Sequence, residues 1–205
     1  MRFVLASASP ARLSVLRAAG IEPVVRVSGV DEDAVAAALV DPEPAELVTA
    51  LAAAKAEAVR AGEQDAVVVG CDSMLSMHGE VVGKPHDPEV AAKRWRQMAG
   101  GTGELLTGHA VLKLSGGEVV ARAQAHRTTA VRFAEPTEAE LDAYLASGEP
   151  LRVAGGFTLD GLGGWFVEGI DGDPSSVIGI SLPLTRGLLA EVGVRVTDLR
   201  TSGTA

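Results

Sequence analysis

Residues 67–73 read Val-Val-Val-Gly-Cys-Asp-Ser. The run of β-branched residues predicts a buried strand in the interior of a sheet, with which other strands pair. This strand is expected to end on the carboxylate of Asp72, and Lys84 follows twelve residues later within Gly83-Lys84-Pro85. Catalytic groups often lie at the carboxyl ends of strands in α/β sheets, so the end of this strand is a candidate functional site.

Helices and strands alternate on both sides of this stretch. Helix-start signals predict helices that begin after Ser9, at residue 45, at Asp87-Pro88, at Thr137 and near residue 183. Apolar and alternating runs predict strands at 3–6, 67–72, 105–114, 118–132, 153–159 and 164–169, with a hairpin that turns at 78–80. The alternation predicts a mixed α/β sheet, and the long hairpins argue against a purely parallel one.

Composition narrows the class of protein. The 205 residues suit one large domain or two small lobes that share a core. A net charge of -9 provides no general basic surface, so nucleic acid is not an expected partner. The single cysteine excludes an intramolecular disulfide framework, and neither a signal peptide nor a membrane-spanning run is recognised, so a cytoplasmic protein is expected.

The loop before the first helix is a candidate anion site. Ser9 and Pro10 are a good N-cap and first helical residue, and a helix N-terminus offers free N–H groups to a phosphate. Ser7 adds a hydroxyl, and Arg12 can reach the same anion with a fork of donors. The alternative is a capped helix with an exposed arginine.

Lys55 falls inside the apolar stripe predicted for the helix at 45–61. The stripe consists of Leu47, Leu51, Ala54 and Ala58. A lysine in that position is costly unless its ammonium extends to water or meets an anion, and the sequence leaves both alternatives open.

Asp72, Lys84 and Cys71 have different expected roles. Asp72 is expected to face a metal, a cation or water, although a carboxylate there could also cap a turn. Lys84, between a permissive glycine and a stiff proline, suits a phosphate oxygen, and the alternative is an exposed turn lysine. Cys71 is expected to be a buried, inert thiol.

Four stretches together resemble the Maf family of nucleoside triphosphate pyrophosphatases. They are LASASPARLSVLRAAGI (5–21), AAAKAEAV (52–59), the stretch 67–108 from VVVGCDS to LLTG, and the stretch 144–184 from YLASGEP to ISLPL. The resemblance implies an elongated mixed sheet flanked by helices, with two lobes and a central cleft. We therefore expect a single Maf-like domain over 1–200, followed by a frayed tail at 201–205.

The resemblance also implies a reaction and its residues. A nucleoside triphosphate would be cut between the α and β phosphates to give the monophosphate and pyrophosphate, with roles in nucleotide-pool cleaning and cell-division arrest. Asp72 matches the proton acceptor of the family, and Ser7, Arg12, Lys55 and Lys84 match phosphate-binding positions. Asp72 and Glu32 would hold Mg²⁺ or Mn²⁺, and a homodimer is expected.

Departures from the family pattern concern the specificity positions Arg12, Ser73 and Asp160. Ala11 precedes Arg12 where the family often has a second arginine, and Ser73 stands where threonine is common. Asp160 lies in the glycine-dense stretch 155–164, at the position of a glutamine in members that prefer dTTP and UTP. Because a carboxylate only accepts hydrogen bonds, a broad or differently tuned base preference is expected.

Two other functions stay open. The chain could be a nucleotide-binding regulator of cell division with little turnover, or a phosphohydrolase that releases phosphate instead of pyrophosphate. The first alternative does not need a water-activating acid, so Asp72 favours an enzyme.

Overall fold

A mixed β-sheet is the central element of the fold. The computed structural model describes residues 1–199, so the predicted tail at 201–205 lies outside the described residues. Within them, seven strands are arranged in the order β2-β1-β3-β5-β6-β7, with β4 paired to β3. The strands are β1 (Arg2–Ala6), β2 (Val24–Val25), β3 (Ala66–Met77), β4 (Glu80–Val82), β5 (Thr102–Ser115), β6 (Glu118–Phe133) and β7 (Val167–Asp171).

Strand directions confirm the expected mixed sheet. The first strand, β1, runs parallel to both β2 and β3, whereas β4 is antiparallel to β3 and β7 is antiparallel to β6. The predicted hairpin between β3 and β4 is present. Its two turn residues, His78 and Gly79, have φ angles of 54° and 81°, as a type I′ turn requires.

The predicted helix starts are confirmed by their caps. The helices are α1 (Pro10–Ala18), α2 (Glu32–Ala37), α3 (Pro44–Val59), α4 (Pro88–Met98), α5 (Glu138–Ala146), α6 (Pro174–Ile178) and α7 (Leu182–Glu191). Ser9 accepts a hydrogen bond from the Arg12 N–H at the start of α1, and Thr137 and Glu140 form the expected capping box of α5. Short local signals were therefore sufficient to place these helix ends.

The chain forms two compact units, each made of separate segments. The first unit contains Met1–Asp72, Thr107–Arg127 and the described residues from Gly179 on, and the second contains Ser73–Leu106 and Thr128–Ile178. The core of the first unit is aliphatic and includes Val4, Ala52, Val68 and Leu112. These small residues allow α3 to pack closely on the sheet.

Aromatic side chains dominate the core of the second unit. Trp95 is fully buried on α4 and makes edge-to-face contacts with Phe133 and Tyr144 at centroid distances of 5.8 and 5.6 Å. Its indole N–H donates to the Gly156 carbonyl at 2.7 Å. The polar end of this buried ring is therefore satisfied, and it ties α4 to the segment around Gly156.

The structure corrects two strand predictions. The predicted strand at 153–159 is wrong, because this region contains short 3₁₀ helices at Pro150–Arg152 and Ala154–Gly156. Gly155 and Gly156 have φ angles of 70° and 73°, which an extended strand does not allow. The strand predicted at 164–169 begins later, as β7, and follows a 3₁₀ helix at Leu162–Phe166.

The end of the central strand is also corrected. Asp72 does not close β3, which continues for five more residues to Met77. Likewise, the stripe predicted for α3 is rotated: Ala58 is exposed, and the buried positions are Val48, Leu51, Ala52, Lys55 and Ala56. Lys55 is therefore on the inner face of α3, as expected.

Candidate active site

Lys55 is held between two carboxylates. Its residue exposure is 9%, and its Nζ lies 2.5 Å from Asp72 Oδ1 and 2.7 Å from Glu32 Oε1. Asp72 is 6% exposed, whereas the Glu32 side chain, at the start of α2, is about half exposed. The Lys55 ammonium thus meets anions. The alternative left open by the sequence, in which it extends to water, is excluded.

Close packing of α3 on β3 brings Lys55 and Asp72 together. A Cβ on Gly70 would clash with the Ala52 carbonyl oxygen and lie 2.9 Å from the Ala56 nitrogen. Only glycine allows the helix backbone to approach the strand this closely. Lys55, on the same helical face, therefore reaches a carboxylate two residues further along the strand.

Asp72 lies just beyond the end of a neighbouring strand. The parallel pairing of β1 with β3 ends at Ala6 and Gly70, and β1 then leaves the sheet into the loop before α1. Asp72 is thus in mid-strand on β3, but beyond the carboxyl end of β1. The expected location at a strand end applies to β1, not to β3 itself.

Ser7 and Arg12 interact at the N-terminus of α1. The Ser7 hydroxyl accepts hydrogen bonds from the Ser9 N–H at 3.1 Å and from Arg12 Nη1 at 3.0 Å. The Nε of Arg12 donates to the Gly179 carbonyl at 2.7 Å. The guanidinium is therefore held in one orientation, unlike the freely exposed arginine of the alternative.

A buried histidine supports the turn that receives Arg12. His109 on β5 is 0% exposed, and its Nε2 accepts the Ser181 N–H at 2.8 Å. Because Nε2 accepts, Nδ1 carries the proton and donates to the Thr107 carbonyl at 3.1 Å, so the ring is neutral. Ser181 is 72 residues from His109, so no spacing signal in the sequence indicates that the two are partners.

Burial and nearby cations have opposite effects on the pKa of Asp72. Burial raises the pKa of the Asp72 carboxyl, and the nearby ammonium of Lys55 and guanidinium of Arg12 offset part of this rise. Cys71 is fully buried, and burial raises the pKa of its thiol to about 11. The expectation of a buried, inert cysteine is confirmed.

The donor set is compatible with a hard divalent cation. Asp72 and Glu32 converge on one point, since both lie within 2.7 Å of Lys55 Nζ. Within residues 1–199, no group of three or more His, Cys, Asp and Glu side chains could hold a metal. Two carboxylates fit Mg²⁺ or Mn²⁺ chemistry, in which phosphate oxygens and water supply the other ligands.

The remaining predicted site residues belong to the second unit; they are Ser73, Lys84 and Asp160. Lys84 is exposed, on a loop fixed by hydrogen bonds to the Gly83 carbonyl from Arg94 Nη1 at 2.9 Å and from the Gly155 N–H at 3.2 Å. Asp160 is exposed, and Ser73 is half-buried next to Asp72 on β3. The structure thus groups Ser7, Arg12, Glu32, Lys55 and Asp72 in the first unit.

Fold and site together define a mixed α/β protein that carries a buried carboxylate with basic side chains beside a helix N-terminus. The family model described as "Maf-like protein" matches residues 2–192, so the chain belongs to the Maf family. No helix among the described residues is long and apolar enough to cross a membrane.

Close relatives carry one common name, nucleoside triphosphate pyrophosphatase. A protein of this name from Saccharopolyspora erythraea is 76% identical over 97% of both chains. Those from Nocardia farcinica and Rhodococcus jostii are 68% and 64% identical, each over 96% of this chain and 95% of the relative. The similarity therefore covers nearly the whole length of each protein.

Proposed function

We propose that this protein is a metal-dependent nucleoside triphosphate pyrophosphatase. It would hydrolyse the link between the α and β phosphates and release the nucleoside monophosphate and pyrophosphate. The names of its relatives support the reaction. The observation that carries the proposal is the buried Asp72 carboxylate, held by Lys55 beside the N-terminal loop of α1.

Basic groups of the first unit would bind the triphosphate. The α1 N-terminus offers N–H donors, Arg12 is oriented by Ser7 and Gly179, and Lys55 adds a second cation. These local charges matter because the substrate is strongly anionic and the protein has a net charge of -9. Lys84 stays a predicted phosphate ligand.

Asp72 would act as the general base. Its carboxylate is buried beside the N-terminal loop of α1, where it can accept a proton from water. The water proton passes to Asp72, the water oxygen bonds to phosphorus, and the bridging oxygen leaves with the departing product. A divalent ion held by Asp72 and Glu32 would neutralise phosphate charge.

Product analysis tests the proposal. The purified protein is incubated with a panel of nucleoside triphosphates and Mg²⁺ or Mn²⁺, and parallel samples contain EDTA. Monophosphate with pyrophosphate, lost in EDTA, is the expected result. Diphosphate with phosphate would indicate the other phosphohydrolase, and binding without products would indicate the regulator.

Replacement of the base provides the second test. Asp72→Asn keeps the side-chain shape but removes the proton acceptor, so turnover should fall by at least about 10²-fold. Asp33→Asn, which removes an exposed carboxylate from α2, is the matched control and should keep wild-type turnover. Near-normal activity of Asp72→Asn would refute the assignment.

The remaining properties stay predictions from the resemblance and the composition. Arg12, Ser73 and Asp160 are expected to set base preference, and the panel of triphosphates measures it. A homodimer, a cytoplasmic location and the absence of nucleic-acid binding are expected as well.

A further inference from the structure

The carboxylate of Glu149 organises the glycine-dense segment at 155–164. Glu149 follows the end of α5, where Gly148 has a φ of 72°. Its Oε1 accepts hydrogen bonds from Thr158 Oγ1 at 2.5 Å and from the Gly163 N–H at 3.0 Å, and its Oε2 accepts the Leu162 N–H at 3.1 Å. One side chain thus satisfies three donors of a segment that lacks regular strand structure.

The glycines of this segment are explained by close packing around that carboxylate. A Cβ on Gly161 would lie 2.5 Å from Glu149 Oε2, and one on Gly163 would lie 2.6 Å from the Thr158 nitrogen and 2.5 Å from the Tyr144 hydroxyl. A Cβ on Gly164 would lie 2.7 Å from the Leu159 carbonyl oxygen. The glycine density therefore reflects a tightly built loop, and not merely a flexible turn.

Glu149 remains a carboxylate in this setting. Partial burial acts to raise its pKa, but the hydrogen bonds from Thr158 and from the Leu162 and Gly163 N–H groups outweigh burial and hold the pKa below its usual range. Burial, together with the negative charge of Glu149, raises the pKa of the Tyr144 hydroxyl. The charged form is thus the one that the loop donors are arranged to bind.

The anchored residues flank Asp160 symmetrically. Thr158 lies two residues before Asp160 and Leu162 two residues after it, and both donate to Glu149. Asp160 itself is exposed. A loop fixed on both sides of an exposed side chain presents that side chain in a restricted set of positions, which is what selective recognition requires.

We propose that Glu149 is a positioning residue for base selection. It fixes residues 158–163 and thereby sets where Asp160 is presented to the nucleobase. The inference rests on the proposed function, because base preference has meaning only if the protein acts on nucleoside triphosphates. It assigns Glu149 no contact with the reacting phosphates.

Two variants test this role. Glu149→Gln leaves an amide nitrogen facing an N–H donor of the loop, and Thr158→Val removes the hydroxyl that donates to Glu149 while nearly conserving volume. Glu138→Gln is the matched control, because it removes a 70% exposed carboxylate on α5 that pairs with Arg96 and not with the loop. The kcat and KM of each protein are measured for the triphosphates of all common bases.

The expected result is a loss of discrimination. In Glu149→Gln, the ratio of kcat/KM between the best and worst bases should change by about tenfold or more, mostly through KM, since displaced positioning groups have effects of that size or larger. Thr158→Val should change the ratio in the same direction by less. In addition, amide hydrogen exchange at Leu162 and Gly163 should accelerate in both variants and not in Glu138→Gln.

The outcomes separate this inference from the function on which it rests. A wild type without turnover overturns the proposed function, and the inference falls with it. Suppose that the wild type is active. If Glu149→Gln and Thr158→Val keep the wild-type ratio of kcat/KM between the best and worst bases, the inference alone is overturned. The same holds if both variants lose kcat/KM equally for every base. A wild type without base preference also overturns it. If Glu149→Gln does not fold, Thr158→Val decides.

Discussion

Among single residues, Lys55 shows how a buried charge is stabilised. Isolated ammonium groups are expensive to bury, and this one is retained because Asp72 and Glu32 both contact it. Removal of Lys55 would leave the Asp72 carboxylate buried without its closest cation. The pair should therefore be coupled in stability as well as in substrate binding.

A double-mutant cycle measures that coupling. Lys55→Met should lower the free energy of unfolding by about 3 kcal/mol, because one partner of a buried pair is lost. In Lys55→Met/Asp72→Asn the remaining charge is also removed, so the loss should be smaller than the sum of the two single losses. Urea unfolding provides the values, and additivity within about 0.5 kcal/mol would contradict the coupling.

The kinetic effect of Lys55 can be distinguished from its effect on stability. If the ammonium binds phosphate, Lys55→Met should raise KM for every triphosphate by a similar factor, because the phosphates do not differ among bases. Measurements at a temperature well below unfolding separate binding from stability. An unchanged KM would contradict a role of Lys55 in substrate binding.

Glu149 should make stability depend on acid pH. Its pKa is lowered in the folded state, since the loop hydrogen bonds outweigh partial burial. Its contribution is therefore complete above the unfolded value of about 4.3 and is lost as pH falls through the folded pKa. The difference in unfolding free energy between wild type and Glu149→Gln should be constant from neutral pH to about pH 5 and shrink below about pH 4.

Urea unfolding over this pH range checks the sign. Asp33→Asn is the control, because this exposed carboxylate makes no such set of loop contacts. A difference that grows as the pH falls would show that Glu149 is protonated in the native loop, which contradicts the described hydrogen bonds.

Among the elements, helix ends and hairpins could be predicted from the sequence because their causes are local. The Ser9 cap, the Thr137 capping box and the His78-Gly79 turn each depend on residues within one turn of chain. The length of β3 could not be predicted in this way. Its continuation past Asp72 depends on pairing with strands that are distant in sequence.

The contact of α3 with the sheet also depends on distant partners. A Cβ on Gly108 of β5 would clash with the Val48 carbonyl oxygen, just as one on Gly70 would clash with that of Ala52. These two glycines allow the α3 backbone to lie directly on β3 and β5. As a result, the face of α3 that is buried against the sheet includes Val48 and Ala52, and not Ala54 and Ala58 of the predicted stripe.

A methyl group at this contact should displace the helix. Gly108→Ala should cost about 3 kcal/mol or more, because the obstructing atoms belong to backbone that cannot easily move. Turnover should fall as well, since Lys55 moves with α3. Gly187→Ala is the control: this helical position has nothing within 4 Å of an added Cβ, so stability should rise by about 0.5–1 kcal/mol. Equal stability of the two variants would contradict the contact.

For the whole molecule, the two units are interleaved along the chain. The chain passes between them at 72/73, 106/107, 127/128 and 178/179, and the first three of these points lie within β3, β5 and β6. Each unit therefore depends on segments separated by the other unit in sequence. No contiguous fragment of residues 1–199 therefore contains one complete unit without residues of the other.

The candidate site was largely predictable, but its supporting residues were not. Asp72, Lys55 and Arg12 are polar or charged groups in conspicuous local settings, and the resemblance assigned them roles. His109 and Glu149 are recognised only from their partners, since Ser181 is 72 residues from His109 and Gly163 is 14 residues from Glu149. Contacts at such separations leave no periodic pattern in one sequence.

The buried thiol of Cys71 offers a way to measure ligand binding without turnover. It is the one cysteine of the sequence, it is fully buried, and its pKa of about 11 keeps it protonated in the native state at neutral pH. A thiol reagent can therefore modify it only in molecules that have opened around β3. The rate of labelling then reports the population of the opened form.

A ligand that binds only the closed form must slow this labelling by the factor 1 + [L]/Kd. With a non-hydrolysable triphosphate at a hundred times its Kd, labelling should slow about 100-fold, and Cys71→Ala should not react at all. Labelling that is indifferent to the analogue would show that it does not bind the closed protein. Because this measurement needs no hydrolysis, it works equally in Asp72→Asn. It therefore distinguishes an inactive variant that still binds the triphosphate from one that no longer binds it.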